Sequence, residues 1–349
     1  MEYPDFKVCV RCFTFNQAKY IEETMNGFTM QQTNFPYVCC IVDDASTDGE
    51  QEVLKSYMKT NFNFSSSSVS FEKDTDYAFI LFAQHKENVN CYFAVILLKE
   101  NLYSSDKSYL KFNYITEWYE KCKYEAICEG DDYWIDSRKL QKQVDILDND
   151  SNIGLVYSKA EAFTVNGKTF FVGRKVLDVY DLVKDNNIPT VTVCLRKCIV
   201  KEYNEVVCPD EQKWLMGDYP KWLWFSFKSQ LYFLDEVTSK YRILQDSASH
   251  FSNIDKMLSF KDSYYDIKRY YVCSFLNSDK KMLRYIEQQR LFAKFKQCIM
   301  LDQDGRGFHM IDSSPIILSF KHFVIVKIMK YNNFLRNLIK KRWLKETSF

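Results

Sequence analysis

A cluster of carboxylates follows a strand-like run near the middle of the chain. The segment CEGDDYW, residues 128–134, places Glu129, Asp131 and Asp132 within four residues, directly after YEAI. Repulsion and desolvation disfavour such clustering unless a cation, a hydroxyl-bearing ligand or solvent compensates the charges. Carboxylates beside an open site suit Mg²⁺ or Mn²⁺, which bind through one or two carboxylates and the phosphates of a substrate. A single cluster is also typical of a solvated turn or helix cap, so a metal site needs a second indication.

A second acidic pair, Asp43 and Asp44, ends the apolar run YVCCIV in the same way. In open α/β sheets, ligands bind beyond the carboxyl ends of the strands, where the loops between strands and helices converge. Because both acidic groups stand at strand ends, we expect them at one edge of one sheet. Their convergence favours a ligand and cation site over two unrelated turns.

The first half of the chain alternates predicted strands and helices, which must position these carboxylates. Residues 6–13 form a β-branched and aromatic run, Asn16 is a candidate cap for the helix that follows, and residues 37–44 form a second buried strand. A helix is expected from Asp48 onward. This βαβ start predicts a parallel sheet.

The middle of the chain interrupts the alternation. Residues 61–92 are expected to form a long inserted loop, after which residues 91–101 restore a strand and residues 107–122 a helix. Asn166-Gly167 between two strand-like runs predicts a hairpin, and residues 256–345 have a mainly helical pattern.

Composition limits the class of protein. The chain has 349 residues, of which 46% are hydrophobic and 17% aromatic, so a large core is expected. Its 12 cysteines are scattered in apolar runs, which favours buried reduced thiols over disulfides or zinc ligands. The opening MEYPDFKVCV lacks a basic segment followed by an apolar core, so we expect no secretory signal and a cytoplasmic protein.

Several common enzyme classes have no motif here. The chain contains no Gly-x-Gly-x-x-Gly after the first strand, no P-loop and no Gly-x-Ser-x-Gly elbow, and it has only 9 glycines. Dinucleotide redox chemistry, P-loop hydrolysis and serine-esterase chemistry are therefore disfavoured. A phosphate-bearing substrate needs another means of binding.

The charge is unevenly distributed along the chain. Eight Lys or Arg and no acid lie between Ser313 and Lys345, so with Glu346 the tail carries +7 and the preceding 312 residues carry −6. The tail is expected either to contact an anionic membrane surface at the inner face of the cell membrane or to pack on the body as a terminal helix. Nucleic acid is not expected as a partner, because the body is acidic and has no recognised binding module.

Several longer segments of the sequence resemble a known family. The string FTFNQAKYIEETMNGFTMQQTNFPYVCCIVDDASTDG is similar to the opening of the family 2 glycosyltransferases of bacterial surface-polysaccharide type, and CEGDDYW resembles their second acidic motif. With MGDYPKWLW and YRILQDSASH, the resemblance covers roughly residues 6–250. It implies the α/β GT-A fold, a Rossmann-like and mostly parallel sheet flanked by helices. Residues 1–135 would form the nucleotide-sugar half, residues 136–250 the acceptor half, and residues 251–349 a helical extension.

The resemblance implies roles for the acidic residues. Asp44 would read the nucleotide base and Asp43 would shape that pocket. Asp131 and Asp132 would bind the ribose and the Mn²⁺ or Mg²⁺ on the diphosphate, with Glu129 at a position that is often Asp.

Three further residues belong to the implied donor site. Phe13 stands where a polar residue is common, and Asn16 belongs to a Tyr-Asn-like pair whose first member is Phe15 here. Arg242 is a candidate to neutralise phosphate. A uridine nucleotide is the expected donor.

The catalytic base and the acceptor side come from later segments. Asp218 in MGDYPKWLW matches the carboxylate that takes the proton from the acceptor hydroxyl, although a simple helix cap would explain it too. Trp222 and Trp224 are expected either to form an acceptor platform or to lie in the core. His250 is expected either to contact the metal or phosphate or to be a surface histidine.

The sequence therefore predicts an inverting, metal-dependent glycosyltransferase. It would move a sugar from a nucleotide-sugar to a hydroxyl of a glycan or lipid-linked acceptor in surface polysaccharide synthesis. The alternatives are a nucleotidyltransferase, which ordinarily needs a Gly-rich basic loop that is missing here, and an inactive sugar-binding or scaffold protein of the same fold.

Overall fold

The computed structural model describes residues 4–65, 69–105, 107–164, 166–244 and 253–347. The chain divides into two compact units. The first comprises Met1–Phe163, Thr169–Asp210 and Trp224–Arg242, and the second comprises Thr164–Lys168, Glu211–Leu223 and Ile243–Phe349. The predicted boundary at residue 250 lies outside the described residues. The segment Glu211–Leu223, which the sequence places in the glycosyltransferase-like part, groups with the second unit.

The first unit is a mixed α/β structure. Its strands are β1 Val8–Thr14, β2 Tyr37–Asp43, β3 Phe62–Asn63, β4 Phe71–Asp74, β5 Ala78–His85, β6 Cys91–Leu98, β7 Tyr124–Ile127, β8 Tyr133–Trp134, β9 Ile153–Thr164, β10 Thr169–Val172, β11 Cys194–Arg196 and β12 Gln230–Ile243. Its helices are α1 Ile21–Thr29, α2 Glu50–Asn61, α3 Thr116–Tyr119, α4 Lys139–Asn149, α5 Val179–Lys184 and α6 Lys197–Val207, and α7 Tyr219–Lys228 leads from the second unit into the first.

The sheet has the order β3-β5-β6-β2-β1-β7-β11-β9-β12-β8, with β4 paired to β5 and β10 to β9. The four neighbours β6, β2, β1 and β7 run parallel, as the βαβ pattern predicts. Their side chains alternate between two cores: Val8, Val10 and Cys12 of β1 belong to one buried cluster, and Cys9 belongs to the other. Burial on both faces fixes the register of these strands. Because β2 and β7 both pair in parallel with β1, their carboxyl ends lie at the same edge of the sheet.

Two local expectations are wrong. Residues 61–92 do not form one long loop, because β4 and β5 lie in this range and β5 pairs antiparallel with β6, which extends the sheet. The run AFILFA supplies the apolar and aromatic side chains for β5. Asn16 does not cap α1, because it adopts φ 54° and the helix begins only at Ile21. The hairpin at Asn166-Gly167 is confirmed by the antiparallel pairing of β9 with β10.

The described part of the second unit is mainly helical, as predicted for residues 256–345. Its helices are α8 Ile254–Phe275, α9 Lys280–Met300, α10 Asp304–Asp312, α11 Phe320–Tyr331 and α12 Asn333–Thr347. Leu291, Phe295, Val326, Met329 and Trp343 are buried together among them. None of the helices in the described parts of the chain has the length and apolar character needed to cross a bilayer.

A buried lysine supports the segment that follows the acidic cluster. Lys139, the first residue of α4, is completely buried, donates a 2.9 Å hydrogen bond to Oε1 of Gln143, and holds Nζ 4.1 Å from the ring centroid of Trp134. Burial lowers the pKa of Lys139 to about 8. The folded protein therefore keeps this amine protonated over a narrower pH range than the unfolded chain does.

This shift predicts a pH-dependent stability difference. Between pH 8 and the ordinary lysine pKa of about 10.4, the unfolded chain binds more protons at this residue than the folded protein does. The contribution of Lys139 to the free energy of unfolding should therefore rise with pH, by up to roughly 1 kcal/mol per pH unit. Urea unfolding of wild type and Lys139→Met at pH 7.5, 8.5 and 9.5 measures this contribution to the free energy of unfolding. Parallel pH profiles for the two proteins would contradict the assignment.

Candidate active site

The second acidic cluster lies in the loop between β7 and β8. Ligand oxygens of Glu129, Asp131 and Asp132 all lie within 4.8 Å of one another. Glu129 is exposed, Asp131 is half-buried and Asp132 is buried. Burial therefore increases from Glu129 to Asp132. The three carboxylates lie at the carboxyl end of a parallel strand, which is where ligands bind in such sheets.

The electrostatics of the cluster favour a cation. Burial raises the pKa of Asp132 well above its ordinary value, and the charges of Asp131 and Glu129 raise it further. Burial also raises the pKa of Asp131. Ionising these neighbours together is therefore costly in the protein alone, and a divalent cation bound between them removes the repulsion. Hard oxygen ligands of this kind fit Mg²⁺ or Mn²⁺.

Backbone contacts hold this loop in place. The buried hydroxyl of Thr24 lies 2.9 Å from the carbonyl oxygen of Gly130 and 2.6 Å from that of Asp132. Gly130 has no room for a side chain, because a Cβ there would lie 2.7 Å from Cβ of Thr14 and closer still to the side-chain oxygens of Thr14 and Gln17. The glycine thus lets the acidic loop approach β1 closely.

This crowding predicts the effect of one added methyl group. Gly130→Ala should displace the acidic loop, cost about 1 to 3 kcal/mol of unfolding free energy and weaken Mn²⁺ binding at least tenfold. Gly305→Ala is the matched control, because a Cβ at Gly305 meets no atom within 4 Å. Urea unfolding and a Mn²⁺ titration of both variants provide the measurement. Unchanged Mn²⁺ affinity in Gly130→Ala would show that the loop position does not matter.

Arg242 contacts the same loop from β12. Its backbone N–H donates to Oδ1 of Asp132 at 2.7 Å, and its Nε donates to the carbonyl oxygen of Asp131 at 2.9 Å. The guanidinium also forms a 2.7 Å ion pair with Glu23 and packs over the ring of Tyr20. Arg242 therefore positions the carboxylates, and its contact with a phosphate stays a prediction.

The first acidic pair lies at the end of β2, and its second member anchors a neighbouring loop. Asp44 is buried and accepts hydrogen bonds from the backbone N–H groups of Leu102 and Tyr103 at 2.7 and 3.1 Å. Its Oδ2 also forms a 2.5 Å ion pair with Nζ of Lys111, which lies 5.8 Å from the ring centroid of Phe13. Asp44 thus links the segment Leu102–Tyr103 to Lys111, and its contact with a base stays a prediction.

Asp43 leaves one oxygen without a protein partner. Its Oδ2 accepts from the N–H of Ser46 at 3.1 Å and from Nε2 of Gln51 at 2.6 Å. Its Oδ1 is buried and has no hydrogen-bond partner among the residues that the structure describes. Burial raises the pKa of this carboxyl group. A buried acceptor of this kind needs a donor, and a ligand hydroxyl or N–H can supply it.

No local sequence pattern marks two further charged residues at this edge. Buried Glu50 accepts from the N–H of Gln17 at 2.8 Å and from Oγ of Ser46 at 2.9 Å, which joins the first strand to α2. Lys111 lies in a helical turn 67 residues beyond its partner Asp44.

The remaining predicted donor residues lie beside these groups. Phe13 is half-buried, with its ring edge-on to Phe112 at 5.9 Å and with the guanidinium of Arg11 4.9 Å from its centroid. Asn16 accepts from the N–H of Thr47 at 2.8 Å through Oδ1, and its own N–H donates to Oγ of Ser46. Asn16 therefore fixes the loop after β2, and its contact with a nucleotide-sugar stays a prediction.

The predicted catalytic residue belongs to the second unit. Asp218 stands directly before α7, where its carbonyl oxygen accepts from the N–H of Trp222 at 3.1 Å and its Oδ1 accepts from the N–H of Tyr219 at 2.7 Å. The side chain is half-buried. Its position at a helix start agrees with the sequence pattern, and its role as base stays a prediction.

The expected acceptor platform needs correction. Trp222 and Trp224 are buried, with exposed fractions of 0% and 2%. Stacking on a sugar needs an exposed ring face, so the core position that the sequence leaves as the alternative applies to both. His250 lies outside the described residues.

Part of the chain is similar in sequence to known proteins. The profile of the family described as "Glycosyl transferase family 2" matches residues 10–70, which contain the first acidic pair. The chain is 31% identical over 137 positions to the uncharacterized proteins Mb1547 of Mycobacterium bovis and Rv1520 of Mycobacterium tuberculosis. The aligned positions cover 39% of this chain. The chain spans 30% of the length of these relatives.

Solved structures share the fold at low sequence identity. TarS of S. aureus matches with a TM-score of 0.52 and 14% identity over 98% of this chain and 55% of its own. The mannosyltransferase PcManGT from Pyrobaculum calidifontis, solved with GDP-Man and Mn²⁺, matches with a TM-score of 0.50 and 12% identity over 98% of this chain and 87% of its own. Residues 10–70 are thus similar to glycosyl transferase family 2, and the chain shares the GT-A fold of these solved glycosyltransferase structures.

Proposed function

We propose that this protein is an inverting, metal-dependent glycosyltransferase that moves a sugar from a nucleotide-sugar to a hydroxyl of a glycan or lipid-linked acceptor in surface polysaccharide synthesis. One observation carries the proposal: Glu129, Asp131 and Asp132 converge within 4.8 Å at the same sheet edge as Asp43 and Asp44. The fold is shared with a mannosyltransferase that was solved with a nucleotide-sugar and Mn²⁺.

The donor would bind across the two acidic groups. Asp131 and Asp132, with Glu129 at the solvent side, would hold the cation. When bound, the cation neutralises negative charge on the departing diphosphate. The buried Oδ1 of Asp43, which has no hydrogen-bond partner within the described parts of the chain, would accept a hydrogen bond from a donor hydroxyl or N–H.

The nucleotide base would lie between Phe13, Tyr103 and the Asp44–Lys111 ion pair. Nζ of Lys111 lies 5.8 Å from the ring centroid of each aromatic residue, so both rings are close to this cation. A uridine nucleotide is the donor that we test first.

Asp218 would act as the general base. It accepts the proton of the acceptor hydroxyl while that oxygen bonds to the anomeric carbon, and the bond from this carbon to the diphosphate oxygen breaks on the opposite face. The leaving nucleoside diphosphate keeps the electron pair. Attack opposite the leaving group inverts the configuration, and the anomeric carbon passes through an oxocarbenium-like state.

A donor panel tests the proposal. UDP-, GDP-, CDP- and dTDP-sugars are mixed with the protein and Mn²⁺ or Mg²⁺, with and without EDTA, and thermal stability and the released products are measured. We expect one nucleotide class to stabilise the protein by about 2.7 kcal/mol at a hundred times its Kd, and to release nucleoside diphosphate in a cation-dependent reaction.

The alternatives give different products. Release of pyrophosphate instead of nucleoside diphosphate would indicate a nucleotidyltransferase. A sugar that stabilises the protein without any nucleotide, with no product released, would indicate a binding or scaffold protein. No stabilisation by any nucleotide would overturn the proposal.

A further inference from the structure

The last two helices of the second unit expose large apolar side chains. In α11, Phe320, Phe323, Lys327, Ile328 and Tyr331 lie at positions i, i+3, i+7, i+8 and i+11, which places them on one face of the helix. Phe320 is 84% exposed and Tyr331 is 75% exposed. The opposite face, with Val326 and Met329, is buried. The helix is therefore apolar on both faces, although only one of them packs within the unit.

The next helix repeats this arrangement. In α12, Phe334, Leu335, Leu338, Lys341 and Arg342 lie at positions i, i+1, i+4, i+7 and i+8, again on one face, and all five are exposed. Trp343 on the opposite face is buried in the core of the second unit. We call these two exposed faces together the aromatic-basic surface.

Five cations of this region differ in their surroundings. Lys330, Arg336 and Lys340 form ion pairs with Asp312, Asp304 and Asp302 within the same unit. Lys327 and Lys341 instead stand among the exposed apolar side chains, and Nζ of Lys327 lies 5.4 Å from the ring centroid of Phe323. The aromatic-basic surface thus combines rings with positive charges and contains no acid.

We propose that the aromatic-basic surface binds the surface of an anionic lipid bilayer, with Phe320 and Phe334 inserted at the headgroup level and with Lys327 and Lys341 beside lipid phosphates. Aromatic rings and long basic side chains are the residues that favour this interface, and a helix with an exposed apolar and basic face lies in its plane. The negative cytoplasmic leaflet would attract the exposed cations Lys327 and Lys341.

Charge also argues against a second copy of the chain as the occupant. A symmetric pairing through this surface would bring the exposed cations Lys327 and Lys341 of two copies together, and these like charges repel each other. The proposal goes beyond the glycosyltransferase assignment and does not depend on it, because it concerns residues of the second unit and its test needs no turnover.

Co-sedimentation of the full chain with vesicles tests the proposal. We expect binding to phosphatidylcholine vesicles that contain 30% phosphatidylglycerol, which weakens at high salt, and little binding to phosphatidylcholine alone. Phe320→Ser with Phe334→Ser should weaken binding at least tenfold. Lys327→Gln with Lys341→Gln should weaken it roughly 10- to 30-fold, because each cation near such a surface contributes about a factor of five.

Matched variants in the first unit provide the controls. Phe171 and Leu177 are 66% and 77% exposed, so Phe171→Ser with Leu177→Ser removes a similar exposed apolar area. Lys59→Gln with Lys73→Gln removes the same charge from exposed positions. Both control pairs should bind vesicles as wild type does, and thermal melts should be alike for all variants.

Three outcomes would overturn the proposal. The first is no binding of wild type to the anionic vesicles. The second is equal loss of binding in the control pairs and in the variants of the aromatic-basic surface. The third is self-association in sedimentation velocity that the Phe320/Phe334 variant abolishes while vesicle binding is absent, which would identify a second copy as the occupant.

Discussion

Replacing Asp218 by Asn is expected to lower turnover by about 10²- to 10⁴-fold, which is the usual contribution of a positioned general base. The change keeps the shape of the side chain, and the amide oxygen can still accept from the N–H of Tyr219, so α7 should begin as before. Donor affinity should stay within about twofold, because the base contacts the acceptor hydroxyl and not the nucleotide.

Release of nucleoside diphosphate in the presence of acceptor measures turnover, and calorimetry with the nucleotide and Mn²⁺ measures donor affinity. Asp210→Asn, an exposed aspartate eight positions upstream, is the matched control and should behave as wild type. If Asp218→Asn keeps more than a tenth of wild-type turnover, Asp218 is a helix-start residue only, and the base must be sought elsewhere.

Replacing Asp132 by Asn has the second large effect, and it concerns donor binding as well as turnover. The variant removes a cation ligand, so we expect Mn²⁺-dependent nucleotide affinity to fall about 10²-fold and turnover to fall at least as much. Without metal, the same variant should be more stable than wild type. A neutral amide is not repelled by Asp131 and Glu129, and its oxygen still accepts from the N–H of Arg242.

These two opposite effects make the prediction specific. Thermal melts with EDTA should give a higher Tm for Asp132→Asn than for wild type, whereas melts with Mn²⁺ and nucleotide should give a lower one. Asp76→Asn, an exposed aspartate in the first unit, should leave both values unchanged. A variant that is destabilised with EDTA, or that keeps its Mn²⁺-induced shift, would mean that the carboxylate serves the fold and not a cation.

Much of the parallel sheet could be predicted from the sequence because its strands are continuous apolar runs. The runs before Asp43 and before Glu129 are buried on both faces, as is typical of parallel strands. Because both strands pair in parallel with β1, their carboxyl ends lie at the same edge of the sheet. The placement of both acidic groups at this edge follows from that topology. The Asn166-Gly167 hairpin was predictable from local turn chemistry alone.

Other features depend on partners that are distant along the chain. Lys111 is identified only by its contact with Asp44, and Glu50 only by its contacts with Gln17 and Ser46, so no local pattern marks either residue. The polar residues on both sides of AFILFA are typical of a loop, so the sequence predicts a loop there. In the structure, pairing with β6 stabilises the strand β5. Tertiary pairing outweighed local composition there.

Glu129, Asp131 and Asp132 would hold a divalent cation, and this cation would neutralise charge on the diphosphate of the donor. Anomalous diffraction from crystals grown with Mn²⁺ and the nucleoside diphosphate selected by the donor panel tests it most directly. We predict one strong manganese peak within coordination distance of the Asp131 or Asp132 carboxylate and of the diphosphate oxygens. Bound nucleotide with no manganese at these carboxylates, or manganese bound only elsewhere on the protein, would contradict the account.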